Sequence, residues 1–317
     1  MSEALLELRH VSRTFGGGGF FSQRPVVALK DFSLTVDSDV ATITAIVGES
    51  GSGKTTMGRL ALGLDSPSSG QVLYEGKDLQ HVSRGEWREF RRGVQAILQD
   101  PFGVYNSFYT VDHVLTTPLR KFRLARSADE QQKLIQQALL AVGLDPDVTL
   151  GRYPHQLSGG QRQRVMVART LLLRPRVIVA DEPVSMIDAS LRATVLANLL
   201  QLKREFGISL IYITHDLTTA YQISDRIVVL YRGEVVESGP PDQIILRPQH
   251  PYTRLLIDSI PEADPDHTWG DSALDDIGDG DEYEEVTLTL ARDSPEAVTS
   301  VRASSNSQKT TGGREHE

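Results

Sequence analysis

Residues 41–64 read ATITAIVGESGSGKTTMGRLALGL, and the order of textures in that run decides the fold. Its first seven residues are apolar or β-branched throughout, as in a strand covered on both faces. Glycines follow at Gly48, Gly51 and Gly53, and then a run with helical spacing. GESGSGKT fits G-x-x-x-x-G-K-[ST] in the setting that pattern requires, a buried strand before it and a helix after it. The glycines let successive N–H groups turn inward, and the helix behind them adds the positive end of its dipole, so a triphosphate is held mainly by main chain. Lys54 is expected to reach the β- and γ-phosphates and Thr55 to ligate Mg2+, with Glu49, Ser50, Ser52 and Thr56 completing the cradle. A glycine-rich turn with a chance lysine would share these letters but not both flanks.

Two further strands carry acids and bases to their ends. RVIVADEP (176–183) is a buried strand ending in Asp181, aimed at the metal, and Glu182, which can orient and polarise an attacking water. Alone, this would be a strand ending in solvated acids; beside a phosphate loop it supplies what the loop lacks. SLIYITH (209–215) delivers His215 at its end, and Asp216 is expected to cap the next helix. A second glycine-rich run, LSGGQRQRV (157–165), has no lysine to reach a ligand. Ser158, Gly159 and Gly160 precede a helix expected to begin near Gln161, and they offer a hydroxyl and free N–H groups on a positive helix end. In isolation that is only a helix cap.

Around these motifs, β-rich runs at 71–76, 93–99, 176–182, 209–215 and 225–239 alternate with helical patterns, which reads as an α/β domain with a mostly parallel sheet. The alternating LLELRHVSRTF and VVALKDFSLTV open it as a hairpin or meander. Between Thr110 and Leu173 only helical periodicity appears, so that stretch reads as a helical insertion containing LSGGQ. The whole chain has 317 residues, 39% hydrophobic and 24% charged, and a formal net charge of −9. The acidity belongs to the tail: residues 262–317 hold 15 Asp/Glu against 4 Lys/Arg, leaving 27 against 29 in the rest. A nearly neutral body without a basic stripe gives no reason to expect nucleic acid as a partner. The tail is too polar to offset its ordering entropy and is expected to be disordered, apart from a short strand at 285–291, serving either to solubilise the protein or to bind a partner. No apolar run is long enough to span a membrane. No basic region followed by an apolar block opens the chain, and there are no cysteines, so a reducing, cytosolic setting is expected.

In order and spacing, GESGSGKTT, Gln99 in LQDP, LSGGQRQRV, VIVADEP, SMID ending at Asp188, and His215 in ITHD resemble the ATP-binding subunits of ABC transporters over about residues 4–262. The resemblance implies a P-loop NTPase fold: a RecA-like parallel sheet core with an antiparallel β subdomain and an inserted α-helical subdomain. The ATPase domain would span 1–240, with the helical subdomain at about 100–172. The implied cofactors are ATP and Mg2+. Two such domains would dimerise head to tail, so that Ser158, Gly159, Gly160 and Gln161 of one touch the γ-phosphate held by the other. By the same carry-over Gln99 joins the metal site and couples it to the membrane partner, Asp188 communicates across the dimer, His215 contacts the γ-phosphate, and an aromatic stacks on adenine. Phe15 sits at the matching place, with Phe20 and Phe21 as rivals.

QDPFGVYNS, YPHQLSGGQ, PVSMIDASLR and RPQHPYTRLLIDSIP narrow the resemblance to the oligopeptide/dipeptide importer branch, closest to the second of its two ATPases, with a C-terminal element at 241–262 and the tail at 263–317. HPYTRLL also reads simply as a helix start with proline in the first turn. The branch implies a second ATPase, non-identical or a second copy, two transmembrane permease subunits, an indirect link to an extracytoplasmic solute-binding protein, and a peripheral place on the cytoplasmic face of the membrane. It also moves oligosaccharides, opines and nickel. Ser38-Asp39-Val40 replaces the family's usual Gly-Glu, and Ser107 its usual proline. The competing expectation is a soluble ABC ATPase acting on ribosomes or DNA, which would normally bring two cores or a long coiled coil; this sequence has one P-loop, one LSGGQ and no sustained heptads.

Overall fold

Two long strands, β1 (Ala4–Phe15) and β2 (Val26–Asp37), pair antiparallel. The fully buried β3 (Ile43–Val47) runs into the glycine-rich turn and α1 (Lys54–Ala61). β4 (Ser69–Tyr74) returns beside β1 and pairs with the two-residue β5 (Lys77–Asp78). The strand expected at 71–76 stops at Tyr74 because Glu75 and Gly76, at φ 49° and 74°, turn the chain. α2 (Arg84–Gly93), capped by Ser83, leads to β6 (Val94–Ile97). The computed structural model describes residues 4–16, 25–97, 105–185 and 189–260. Phe20, Phe21, Gln99, Asp188 and the tail with its expected strand at 285–291 lie outside the described residues.

From 105 to 172 the described chain is helical: α3 (Asp112–Phe122), α4 (Ala128–Leu140), α5 (Pro146–Thr149), a 3-10 turn, and α6 (Gly159–Leu171). α6 packs on α3, α4, β6 and the later α7. The chain then alternates as β7 (Val177–Asp181), α7 (Ala189–Arg204), β8 (Ser209–Thr214), α8 (Leu217–Ile223), β9 (Arg226–Tyr231), β10 (Glu234–Gly239), α9 (Pro241–Leu246) and α10 (Pro251–Asp258).

The strands form two sheets, β2-β1-β4-β5 and β10-β9-β3-β8-β7-β6. The second is parallel from β9 to β6, with β10 antiparallel on its edge. Strands β3, β7, β8 and β9 read as nearly unbroken apolar runs because both faces are covered, and the pleat sorts them. Ile43, Ala45 and Val47 join Ile178, Ala180, Leu210, Tyr212, Ile227 and Val229 in one core with the helical segment. Ile46, Val177, Val179, Ile211, Ile213, Val228 and Leu230 face the other way, into a core shared with α1 and the antiparallel sheet. Each fully buried Val or Ile contributes roughly 1.5–3 kcal/mol. This double burial holds the carboxyl ends of β3, β7 and β8 in fixed register, with Asp181 opposite Ile213, and ligands of open α/β sheets bind at such ends.

Candidate functional site

The cradle is built where β3 meets α1. Gly48 lies so close to β9 that a Cβ there would stand 2.2 Å from the Leu230 carbonyl oxygen, and Gly53, at φ 108°, would put one 2.4 Å from that of Ala28. Neither position tolerates a side chain. Gly53 is the N-cap of α1 and offers no side-chain cap, so the helix's opening donors are left to another acceptor. Ser52 Oγ is buried without a hydrogen-bond partner among the described residues. Lys54 is 6% exposed and its ammonium donates back to the carbonyls of Gly48 (2.6 Å) and Glu49 (2.7 Å). Burial pushes its pKa down, opposed by the charges of Glu182, Asp181 and Glu49. An orphaned hydroxyl, open helix donors and a buried cation fit an anionic ligand.

The end of β7 supplies the acids. Burial raises the Asp181 carboxyl pKa, the Glu182 charge adds to it, and Lys54 and a hydrogen bond from the Thr55 hydroxyl oppose both. Thr55 and Asp181 are thus neighbours, an oxygen pair suited to a magnesium ion that takes its remaining ligands from phosphate and water. Among the described residues no group of three or more His, Cys, Asp or Glu forms a metal cage. Glu182 turns at φ 46°, and its backbone N–H is held by the Ile213 carbonyl at 2.8 Å. Its carboxylate lies 3.0 Å from Nδ1 of His215, the residue after β8. The acid and the histidine expected at neighbouring strand ends are therefore in contact. Asp216 caps α8, accepting from Thr218 and Thr219.

The second glycine-rich turn stands on the helical segment. Ser158 Oγ accepts from the Gln161 N–H at 3.2 Å and Gln161 Oε1 accepts from the Ser158 N–H at 3.0 Å. This reciprocal cap starts α6 at Gly159, two residues before the expected start. A Cβ on Gly159 would meet nothing within 4 Å, so the turn faces open space. Phe15 ends β1, is 41% exposed, and carries the Arg13 guanidinium 4.8 Å from its ring centroid.

Three contacts were not anticipated from sequence. Gln163 of α6, buried, donates to the carbonyl of Pro183, next to Glu182. Tyr105 donates to the Arg162 carbonyl at 2.7 Å. Tyr252 of α10 accepts from the backbone N–H of Glu49 at 2.9 Å. The tyrosine of HPYT was the available signal; Gln163 stands in the polar run QRQR and carries none of its own.

Residues 29–185 match the ABC transporter family and residues 236–279 the oligopeptide/dipeptide transporter C-terminal region. The chain is 40% identical over 266 residues to the oligopeptide transport ATP-binding protein OppF of Streptococcus pyogenes serotype M1, covering 84% of both. It is 44% identical over 221 residues to OppF of Salmonella typhimurium, 70% of this chain and 66% of that one. Among solved structures it resembles CbiO1 of Clostridium perfringens, part of an ABC transporter complex, at 26% identity and TM-score 0.66 over 77% of this chain and 92% of that one. It also resembles the dimeric ATP-binding cassette MJ0796 in a post-hydrolysis state with ADP and Pi, at 28% identity and TM-score 0.63 over 74% of this chain and 98% of that one.

Proposed function

The chain belongs to the ABC transporter ATP-binding family, and from that premise we propose that it is the ATP-hydrolysing subunit that powers an importer of oligopeptides, dipeptides or a related solute. The observation that carries the reading is the convergence of Lys54, Thr55, Asp181, Glu182 and His215 at adjoining strand ends, with Ser52 Oγ and the first turn of α1 awaiting an acceptor.

In this reading the loop from Gly48 to Thr56 wraps the triphosphate with those of its main-chain N–H groups that it does not use itself, the Glu49 N–H being held by Tyr252. Lys54 keeps its bond to the Gly48 carbonyl and exchanges that of Glu49 for phosphate oxygens. Thr55 and Asp181, with Gln99, hold Mg2+, which supplies charge neutralisation when bound. Glu182 aligns the water, and His215, already in contact with that carboxylate, restrains it and faces the γ-phosphate. Phe15 stacks on adenine. Ser158 to Gln161 serve the nucleotide of a partner subunit, and Asp188 acts across that dimer. Ser158 Oγ uses a lone pair on its own cap, which leaves its O–H free to donate to a phosphate.

The partner is a second ATPase, and together they sit peripherally on two permeases at the cytoplasmic face of the membrane. No helix among the described residues is long and apolar enough to cross a bilayer, in keeping with a subunit that drives a channel made by others. The test is phosphate release by the chain reconstituted with its permeases in vesicles, with and without a peptide-loaded binding protein. Stimulated release supports the proposal; release unaffected by any peptide, with uptake of another solute, would move the cargo elsewhere in the branch.

A further inference from the structure

Residues 250–253 read HPYT, and the run is built so that it presents one hydroxyl. Glu237 of β10 accepts from the N–H groups of Gln249 (2.9 Å) and His250 (3.0 Å) through its two carboxylate oxygens. That fixes the approach of the chain to α10. His250 Nδ1 then caps the helix by accepting from the Tyr252 N–H at 3.2 Å, and Pro251 fills the first helical position, where a missing N–H is no loss. Thr253 is fully buried. This frame fixes Tyr252, whose ring packs 4.1 Å from that of Tyr231 at the end of β9. Burial raises the phenol pKa above its ordinary value.

What it accepts from is the phosphate loop. The Glu49 N–H, 2.9 Å from the Tyr252 hydroxyl, belongs to the same peptide unit as the Gly48 carbonyl, which takes the Lys54 ammonium at 2.6 Å. A peptide is planar, so this unit is gripped on both edges, by Tyr252 on one and Lys54 on the other. The grip has a purpose at this position. Gly48 is a glycine because β9 leaves no room for a Cβ, and the same lack of a side chain frees its backbone to rotate. Rotation of the peptide would carry the carbonyl away from Lys54, and it must first break the Tyr252 bond. Accepting from the N–H also polarises the peptide and strengthens its carbonyl as a partner for the ammonium.

We propose that Tyr252 is a positioning residue of the nucleotide site: from the C-terminal element it locks the Gly48–Glu49 peptide and, through that carbonyl, the Lys54 ammonium. The inference rests on the ATP-site reading above. It gives the HPYT run a role in nucleotide affinity, beyond starting a helix.

The test is equilibrium binding of labelled ATP to the full chain, in Tyr252→Phe, Lys54→Ala and the double variant, alongside ligand-free melting temperatures. Phenylalanine keeps the ring on Tyr231 and removes the hydroxyl, with the bond it accepts from the Glu49 N–H and the one it donates to the Glu49 side chain. Tyr252→Phe is expected to weaken ATP binding about three- to tenfold, the scale of one lost hydrogen bond, with the ligand-free melting temperature lowered by no more than about 4 °C. In the Lys54→Ala background the same change should add nothing, because the group being positioned is gone. Wild-type affinity in Tyr252→Phe overturns the proposal. So does an equal loss in both backgrounds, or a loss accompanied by a larger fall in melting temperature than that, since each would make Tyr252 a mere anchor of α10. A wild-type chain that binds no ATP would instead refute the site reading itself, so the two failures are distinguishable.

Discussion

The glycine-rich turns before α1 and α6 are alike in letters and opposite in build. The first is left open: its N-cap Gly53 offers no side-chain cap, Ser52 Oγ has no partner among the described residues, and the Lys54 ammonium is buried against the loop's own carbonyls. The second is self-contained, with Ser158 and Gln161 satisfying each other's N–H groups and open space over Gly159. An unsatisfied buried site is stabilised by its ligand; a satisfied exposed one folds without it and meets a ligand only when a second surface brings it. The comparison therefore teaches which turn holds this chain's own nucleotide and which is offered to a partner.

The largest expected effect lies on the cradle side. Glu182→Gln keeps the shape of the side chain but loses the charge that aligns water, so phosphate release should fall by at least about 100-fold, with ATP binding retained. A release rate like that of the wild type would assign the water to another group and leave the contact with His215 without catalytic meaning. Asp181→Asn should move two properties in opposite directions. Burial and the Glu182 charge raise the Asp181 pKa in the folded chain, so ionisation at neutral pH costs stability. The sign is that of a group whose stabilising contribution is full below its unfolded pKa and is lost as pH rises through the folded one. The neutral amide removes that cost. The ligand-free melting temperature should rise while Mg2+-dependent turnover collapses, and a fall in melting temperature would contradict the assigned cause of the shift.

Much of this was legible in the sequence because the deciding features are local. ATITAIV followed by three glycines and a helical run states strand, turn and helix within 24 residues, and the apolar runs of β7 and β8 announce a sheet covered on both faces. The contact between Glu182 and His215 was approachable because each ends a strand and the two strands are neighbours in the sheet. The start of α6 was misjudged by two residues although the S-x-x-Q spacing of Ser158 and Gln161 carries it. Tyr252 was recognised as part of a motif and not as a partner of the phosphate loop, since the hydrogen bond joins positions 203 apart and no local pattern encodes such a pairing. The same holds for Gln163 and Pro183, which meet through tertiary packing of α6.

The division between the two turns is tested most directly by the ATP affinity of the isolated full chain in two variants, Lys54→Ala and Ser158→Arg, measured by equilibrium binding of labelled nucleotide. Lys54→Ala removes a buried charge from the phosphates and should weaken binding by at least about tenfold, whereas Ser158→Arg places its bulk on an open surface and should leave that affinity unchanged. In a purified pair of non-identical ATPases, Ser158→Arg should then slow hydrolysis only at the site built on the partner's phosphate loop. Loss of ATP binding by both variants in the isolated chain would mean that the two turns serve one nucleotide, and the division drawn here would be wrong.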